Sequence, residues 1–189
     1  MRVPRRPHTL GIDDGPFEKH AARPVPIVGV MMEGADLVES VAHTGFPVDG
    51  ADATAFLVRW IRSLRARPAL HAIILGGVTI AGLGIVDIEA LSHALALPVL
   101  SVNRKDPARH RVGSALRAAG LLERLPIVER TPAAQRIDTR LYLAAAGISP
   151  AQAAALLAAT RLKSDVPEPL RLAHLIAAAI ARGESRGRV

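Results

Sequence analysis

The 189-residue chain has no cysteine, which excludes a disulfide framework and any zinc site built on thiolates and agrees with a reducing compartment. Aromatic surface is scarce: one Trp, one Tyr and three Phe leave few side chains to stack on bases. The longest apolar run, AIILGGVTIAGLGIV at 72–86, falls short of the roughly twenty residues that cross a bilayer and is interrupted by glycines. The basic opening MRVPRRPH is not followed by a continuous apolar segment with a small-residue cleavage site. We therefore expect a cytoplasmic protein with no membrane span. What the chain does have is excess positive charge, 24 Lys and Arg against 17 Asp and Glu for a net +7, which permits an anionic partner such as nucleic acid.

Apolar or alternating stretches at about 8–13, 25–32 and 37–48 read as strands, separated by the turn-forming segments GPFEKHAARP and EGAD. Such short connections favour an antiparallel meander. In DATAFLVRWIRSLRAR, Phe56, Leu57, Trp60, Ile61 and Leu64 recur at helical spacing, with Asp52 as the expected N-cap and Arg59, Arg62 and Arg65 on the exposed face. LHAIILGG then predicts a buried strand, 87–95 a helix and PVLSV another strand, the order of parallel crossovers. Residues 108–120 predict a helix, PIVER a short strand and RLYLAAAG a further one. Ser149 with Pro150 opens one last helix, and PEPLRLAHLIAAAIARG supplies another, closed by Gly183. With no repeat and no linker, residues 1–189 read as one α/β domain. Its mixed sheet begins as a three-stranded antiparallel meander, continues in parallel strands and carries helices on both faces, the element order of ribonuclease H-like folds.

Asp13 and Asp14 end the first strand in LGIDDGPF. Adjacent strand residues point to opposite faces, so one of the two can join a given site. A polar strand end entering a Gly-Pro turn accounts for the pair structurally. The functional reading makes one aspartate a metal ligand and needs carboxylates from elsewhere; parity and position favour Asp13 and leave Asp14 as its outward neighbour. The glycines of LGGVTIAGLG match neither a P-loop nor a dinucleotide fingerprint and are read as packing or turning positions. His20, His43, His71 and His93 fall at no ligand spacing.

GIDDGPF (11–17), VDGADAT (48–54), GGVTIAGLGIVDI (76–88), LPVLSVNRKDP (97–107), AGISPAQA (146–153), PEPLRLAHLIA (167–177) and GESRGR (183–188) follow one another along nearly the whole chain. Together they resemble domain-of-unknown-function family 99, which is similar to endonuclease V, a metal-dependent nuclease of ribonuclease H-like fold that cuts near inosine. The resemblance implies that Asp13 is a metal ligand, with Asp14 beside it in the same acidic pair. The second acid comes from VDGADAT, where Asp49 is preferred because Asp52 already has a role as N-cap. By the same resemblance Lys105 and its neighbour Arg104 contact phosphates, and His174 stands beside the metals. Arg171 and Arg186 are further substrate contacts. The implied cofactor is Mg2+ or Mn2+, and the implied partner is DNA or RNA.

One departure stands out: where the family reads LDG at the end of the central strand, this chain reads LGG, so Gly76 replaces an expected aspartate ligand. Oxygen-ligated dications depend on carboxylate charge, and metal affinity and hydrolysis are therefore expected to be weak or lost. Asp87 and Glu89 are the nearest acids that could substitute, each with a structural role in a helix's first turn. The aromatic wedge motif of endonuclease V is absent from the sequence. The alternative reading is a non-catalytic homodimeric binding or scaffold protein on the same fold, pairing through the alanine-rich segments 144–159 and 170–181.

Overall fold

Residues 3–19, 23–107, 109–138 and 140–185 are described by a computed structural model. Three strands, β1 (His8–Asp14), β2 (Val25–Glu33) and β3 (Leu37–Phe46), form the expected antiparallel meander, β3 on its outer edge. α1 (Ala53–Ser63) crosses over to β4 (Ala72–Leu75), which lies parallel to β1. A small hairpin of β5 (Thr79–Ile80) and β6 (Gly84–Ile85) leads into α2 (Ile88–Leu95) and then β7 (Val99–Asn103), parallel to β4. There follow α3 (Arg109–Ala118), α4 (Leu125–Arg130), β8 (Gln135–Arg136), β9 (Tyr142–Ala146), α5 (Pro150–Ala159) and α6 (Glu168–Arg182). The seven-stranded sheet runs β3-β2-β1-β4-β7-β9-β8.

Side-chain alternation explains the layers. One face of β1, β2 and β4 contributes Leu10, Ile12, Ile27, Met31, Ile73 and Leu75, which pack with Leu57 and Ile61 of α1 and with Leu91 and Leu95 of α2. The opposite face sends Val28, Val30 and Met32 against Ala173 and Ala177 of α6, and Ile74, Leu100 and Val102 against Leu156 and Leu157 of α5. The alanine-rich helices thus bury Ala153, Leu156 and Leu157 of α5 and Ala173 and Ala177 of α6 inside their own chain. Among the described residues, no helix is long and apolar enough to cross a membrane.

α6 approaches β1 closely because β1 has a glycine beneath it. A Cβ on Gly11 would lie 2.2 Å from the carbonyl carbon of Pro169, so only a residue without a side chain lets the helix settle there.

Three local expectations are corrected. PIVER forms α4, not a strand: Pro126 sits in the helix's first turn, where its missing N–H costs nothing, and Val128 is buried against Leu116 and Ile85. Asp52 occupies the cap position of α1 in a left-handed conformation (φ 55°), and its side chain caps nothing. The final strands also leave the parallel pattern. Asn103 opposes Tyr142 and Val99 opposes Ala146, so β9 returns antiparallel from the same end of the sheet at which β7 finished. Ser149 caps α5 as expected, in a capping box with Gln152, whereas Asp87, expected within the first turn of α2, is its N-cap and accepts from Glu89 and Ala90 N–H.

Candidate active site at the end of the first strand

Strand parity sends the two aspartates of β1 to opposite faces. Asp13 pairs in register with Val28, on the α6 side, and Asp14 with Ile27, on the α1 side. α6 brings His174 over Asp13, and His174 Nδ1 donates to Asp13 Oδ2 at 2.9 Å. Asp13 Oδ1 accepts the Asp14 N–H at 3.1 Å. Asp14 is not the solvent-facing neighbour the sequence suggests, because the segment 81–83 covers its face of the sheet: its Oδ2 accepts the Ala81 N–H at 2.8 Å. Burial first, then the neighbouring Asp13 charge, push the Asp14 carboxyl up to about 6. The hydrogen bond to Asp13 holds the His174 imidazole above its usual range, against desolvation and the charge of Arg104.

Asp49 reaches the same segment from the other side. Its Oδ1 accepts the Leu83 N–H at 2.7 Å while its own N–H donates to the Ala81 carbonyl at 2.9 Å. Asp14 and Asp49 therefore grip one three-residue stretch, a relation the sequence does not reveal. The preference for Asp49 over Asp52 rests, in sequence, on a capping role that Asp52 does not have; Asp52 is exposed, and Asp49 is tied to the loop that covers Asp14. Arg124, buried at 8% exposure, fixes this corner by donating to the carbonyls of Asp49 and Leu83 at 2.9 and 2.8 Å.

Gly76 sits where a third acid was expected. A Cβ placed there would be 2.7 Å from Asp13 Oδ1, so the position borders the Asp13 carboxylate directly. Asp87 does not move in to replace it: that side chain caps α2 and pairs with Arg130 at 2.7 Å. Glu89 is exposed in the first turn of α2.

A cleft of about 840 Å³ opens over the pair, lined by Asp13, Asp14, Gly76, His174, Arg182 and Glu184 among others. Arg182 is not among the site residues expected from the sequence; it follows His174 by eight positions in α6 and lines the same cleft. A smaller cavity on the other side of His174 includes Asn103, Arg104 and Arg171. Arg171 is not free there, for it pairs with the buried Glu168 at 2.6 Å. Lys105 is exposed in the bend after β7, beside Arg104. Arg186 lies outside the described residues. Phe17, 38% exposed, lines an adjoining groove with Arg23 and Arg182.

The donor set suits a hard dication in part. Two adjacent carboxylates offer oxygen ligands, neither is ion-paired to Lys or Arg among the described residues, and the Asp14 carboxyl is raised by burial first and then by the Asp13 charge, both of which a cation would offset. Asp13, Asp14, Asp49 and His174 do not bring three ligand atoms within 4.8 Å of one another.

Comparison with known proteins agrees with this architecture. A family model described as Endonuclease dU matches residues 5–181. A UPF0215 protein of Methanothermobacter thermautotrophicus is 38% identical over 182 residues, covering 94% of this chain and 89% of the relative. Another, from Thermococcus gammatolerans, is 40% identical over 182 residues and covers 93% of each. A solved structure of a protein of unknown function from Archaeoglobus fulgidus superposes with a TM-score of 0.85 at 34% identity, covering 93% of this chain and 98% of that one. Endonuclease V from Ciona intestinalis, bound to inosine-containing DNA, shares the fold at a TM-score of 0.55 and 12% identity, with 89% and 83% coverage. These matches bear out the resemblance read from the motifs and the ribonuclease H-like architecture: the chain belongs to the endonuclease dU family.

Proposed function

We propose that this protein binds DNA carrying a deaminated base, deoxyuridine foremost, and hydrolyses a phosphodiester bond beside it. The observation that carries the reading is the Asp13–His174 pair at 2.9 Å, set beside Asp14 in an open cleft that also contains Arg182. The family description and the DNA-bound endonuclease V relatives in fold support the substrate class.

Asp13 orients His174 through Nδ1 and favours its protonated form, and Nε2 makes no hydrogen bond among the described residues. That nitrogen is the group to hand a proton to the departing oxygen as the P–O bond breaks. Arg182 and Arg104, on either side of His174, hold the phosphates of the strand by charge-assisted hydrogen bonds, with Lys105 adding long-range attraction. Phe17 offers the exposed aromatic face on which a neighbouring base can stack. Asp13 and Asp14 would hold Mg2+ or Mn2+, with Asp49 nearby, and the ion would supply Lewis acidity to the phosphoryl oxygen and the attacking water. With Gly76 in place of a third acid, metal affinity is low and turnover slow.

The test is nicking of a labelled duplex containing one deoxyuridine or one deoxyinosine, with Mg2+ or Mn2+, by the wild type, Asp13→Asn and His174→Gln. We expect Mn2+-favoured nicking at deoxyuridine that both variants lose, and binding that falls steeply with salt. Undiminished nicking by Asp13→Asn, or salt-insensitive binding indifferent to the deaminated base, overturns the proposal.

A further inference from the structure

The other end of β1 carries a second group of ligating side chains. His8 and Glu33 oppose each other across the β1–β2 pair. Glu39 falls where the β2–β3 register slips: Met31 opposes Ser40 and Met32 opposes Val38, so Glu39 has no partner in the ladder. One ligand atom from each of His8, Glu33 and Glu39 lies within 4.8 Å of the other two. Five residues of strand, about 17 Å, separate His8 from Asp13.

The spacing inside the group is informative. His8 Nε2 and Glu39 Oε2 stand 3.7 Å apart, too far for a hydrogen bond. It is close to the edge of a tetrahedron with metal–ligand bonds of about 2.0–2.2 Å, which is roughly 3.3–3.6 Å. The His8 backbone N–H donates to His71 Nδ1 at 2.9 Å, and the two rings lie 5.4 Å apart. Glu33 Oε1 accepts from Arg6 Nε at 3.0 Å, and its Oε2 makes no hydrogen bond among the described residues. The side chains of His8, Glu33 and Glu39 are 28%, 30% and 32% exposed, which leaves water access for a further ligand.

We propose that His8, Glu33 and Glu39 bind a first-row transition-metal dication, Zn2+ foremost, at a site separate from the Asp13–Asp14 pair. Imidazole selects against Mg2+ and Ca2+, while two carboxylates suit a borderline dication. Three protein ligands plus water match the coordination number of zinc. Because the ligands come from three neighbouring strands, the ion staples the edge strand β3 through β2 to β1. It therefore stabilises the folded chain in proportion to its occupancy.

Zinc binding to the full chain, followed by calorimetric titration, tests the proposal with four proteins: wild type, His8→Gln, Glu39→Gln, and the double variant Asp13→Asn with Asp14→Asn. We expect the double variant to keep one Zn2+ per chain and its zinc-dependent rise in Tm, with no competition from excess Mg2+. His8→Gln and Glu39→Gln should each weaken zinc binding at least tenfold and lose the Tm rise. Should His8→Gln fail to fold, Glu39→Gln alone decides, since among the described residues the only ion pair of its carboxylate is with His8. Zinc binding undiminished in Glu39→Gln, or absent from the double variant, overturns the site. Neither result depends on nuclease activity.

Discussion

Replacing Asp14 with Asn should make the metal-free protein more stable at neutral pH, and by an amount that depends on pH. In the folded chain, burial and the Asp13 charge raise the Asp14 carboxyl from 3.8 to about 6, equivalent to about 3 kcal/mol against its charged form. Below 3.8 the folded and unfolded chains both hold the proton and the cost is absent. Between there and about 6 the folded chain keeps a proton that the unfolded chain has released, so stability falls as pH rises. Above about 6 the full cost remains. Asn removes the charge while keeping an oxygen that can accept the Ala81 N–H, bonded at 2.8 Å in the wild type. The expected gain is therefore near zero at about pH 3.5 and about 2–3 kcal/mol at about pH 7.5, a shift of roughly 1 M or more in the urea midpoint. Urea unfolding of chelator-treated protein across this range measures it, and added Mn2+ should close the gap by stabilising only the wild type. An equal gain at both pH values, or a loss near neutrality, would falsify the idea that uncompensated charge strains this strand end.

Other substitutions probe the same corner. Gly11→Ala sets a Cβ 2.2 Å from the Pro169 backbone, which cannot yield as a side-chain tip would. It should cost about 1–3 kcal/mol and loosen α6, read as a lower Tm and reduced amide protection over 168–182; an unchanged Tm refutes the close-approach argument. Gly76→Asp points its new side chain at Asp13, whose Oδ1 lies 2.7 Å from where the new Cβ would stand and can rotate away. Mn2+ affinity should rise at least tenfold by calorimetry, and no gain would mean that the missing acid is not what limits the site. By NMR the His174 imidazole should titrate above 6.5 and move back towards it in Asp13→Asn; an unmoved titration removes the pairing from any account of the site. Asp87→Ala deletes both the α2 cap and the Arg130 pair and should cost about 1–3 kcal/mol in urea unfolding.

Much of the fold was legible because hydrophobic period is a local signal. The alternating meander, the α1 face of Leu57 and Ile61, and the Ser149 capping box each need only their own neighbours in sequence. PIVER misleads because five residues rich in β-branched side chains suit either state, and the decision falls to Val128 finding Leu116 and Ile85. Asp52 misleads in the opposite way: the residue type and position are right for a cap, but its left-handed backbone leaves the side chain unable to cap the helix.

Strand alternation by itself determined that Asp13 and Asp14 face opposite sides of the sheet, since adjacent Cβ atoms on an extended chain must diverge. Composition by itself ruled out thiolate chemistry. Only the tertiary structure decided what each aspartate meets: His174, 161 residues away, on one side, and on the other a loop that Asp49 holds from behind. It alone also gathered His8, Glu33 and Glu39 at the far end of the same strand. The reason is that side-chain direction is a property of a few bonds, whereas the partner a side chain finds depends on how distant segments pack, and that is settled by the whole core at once.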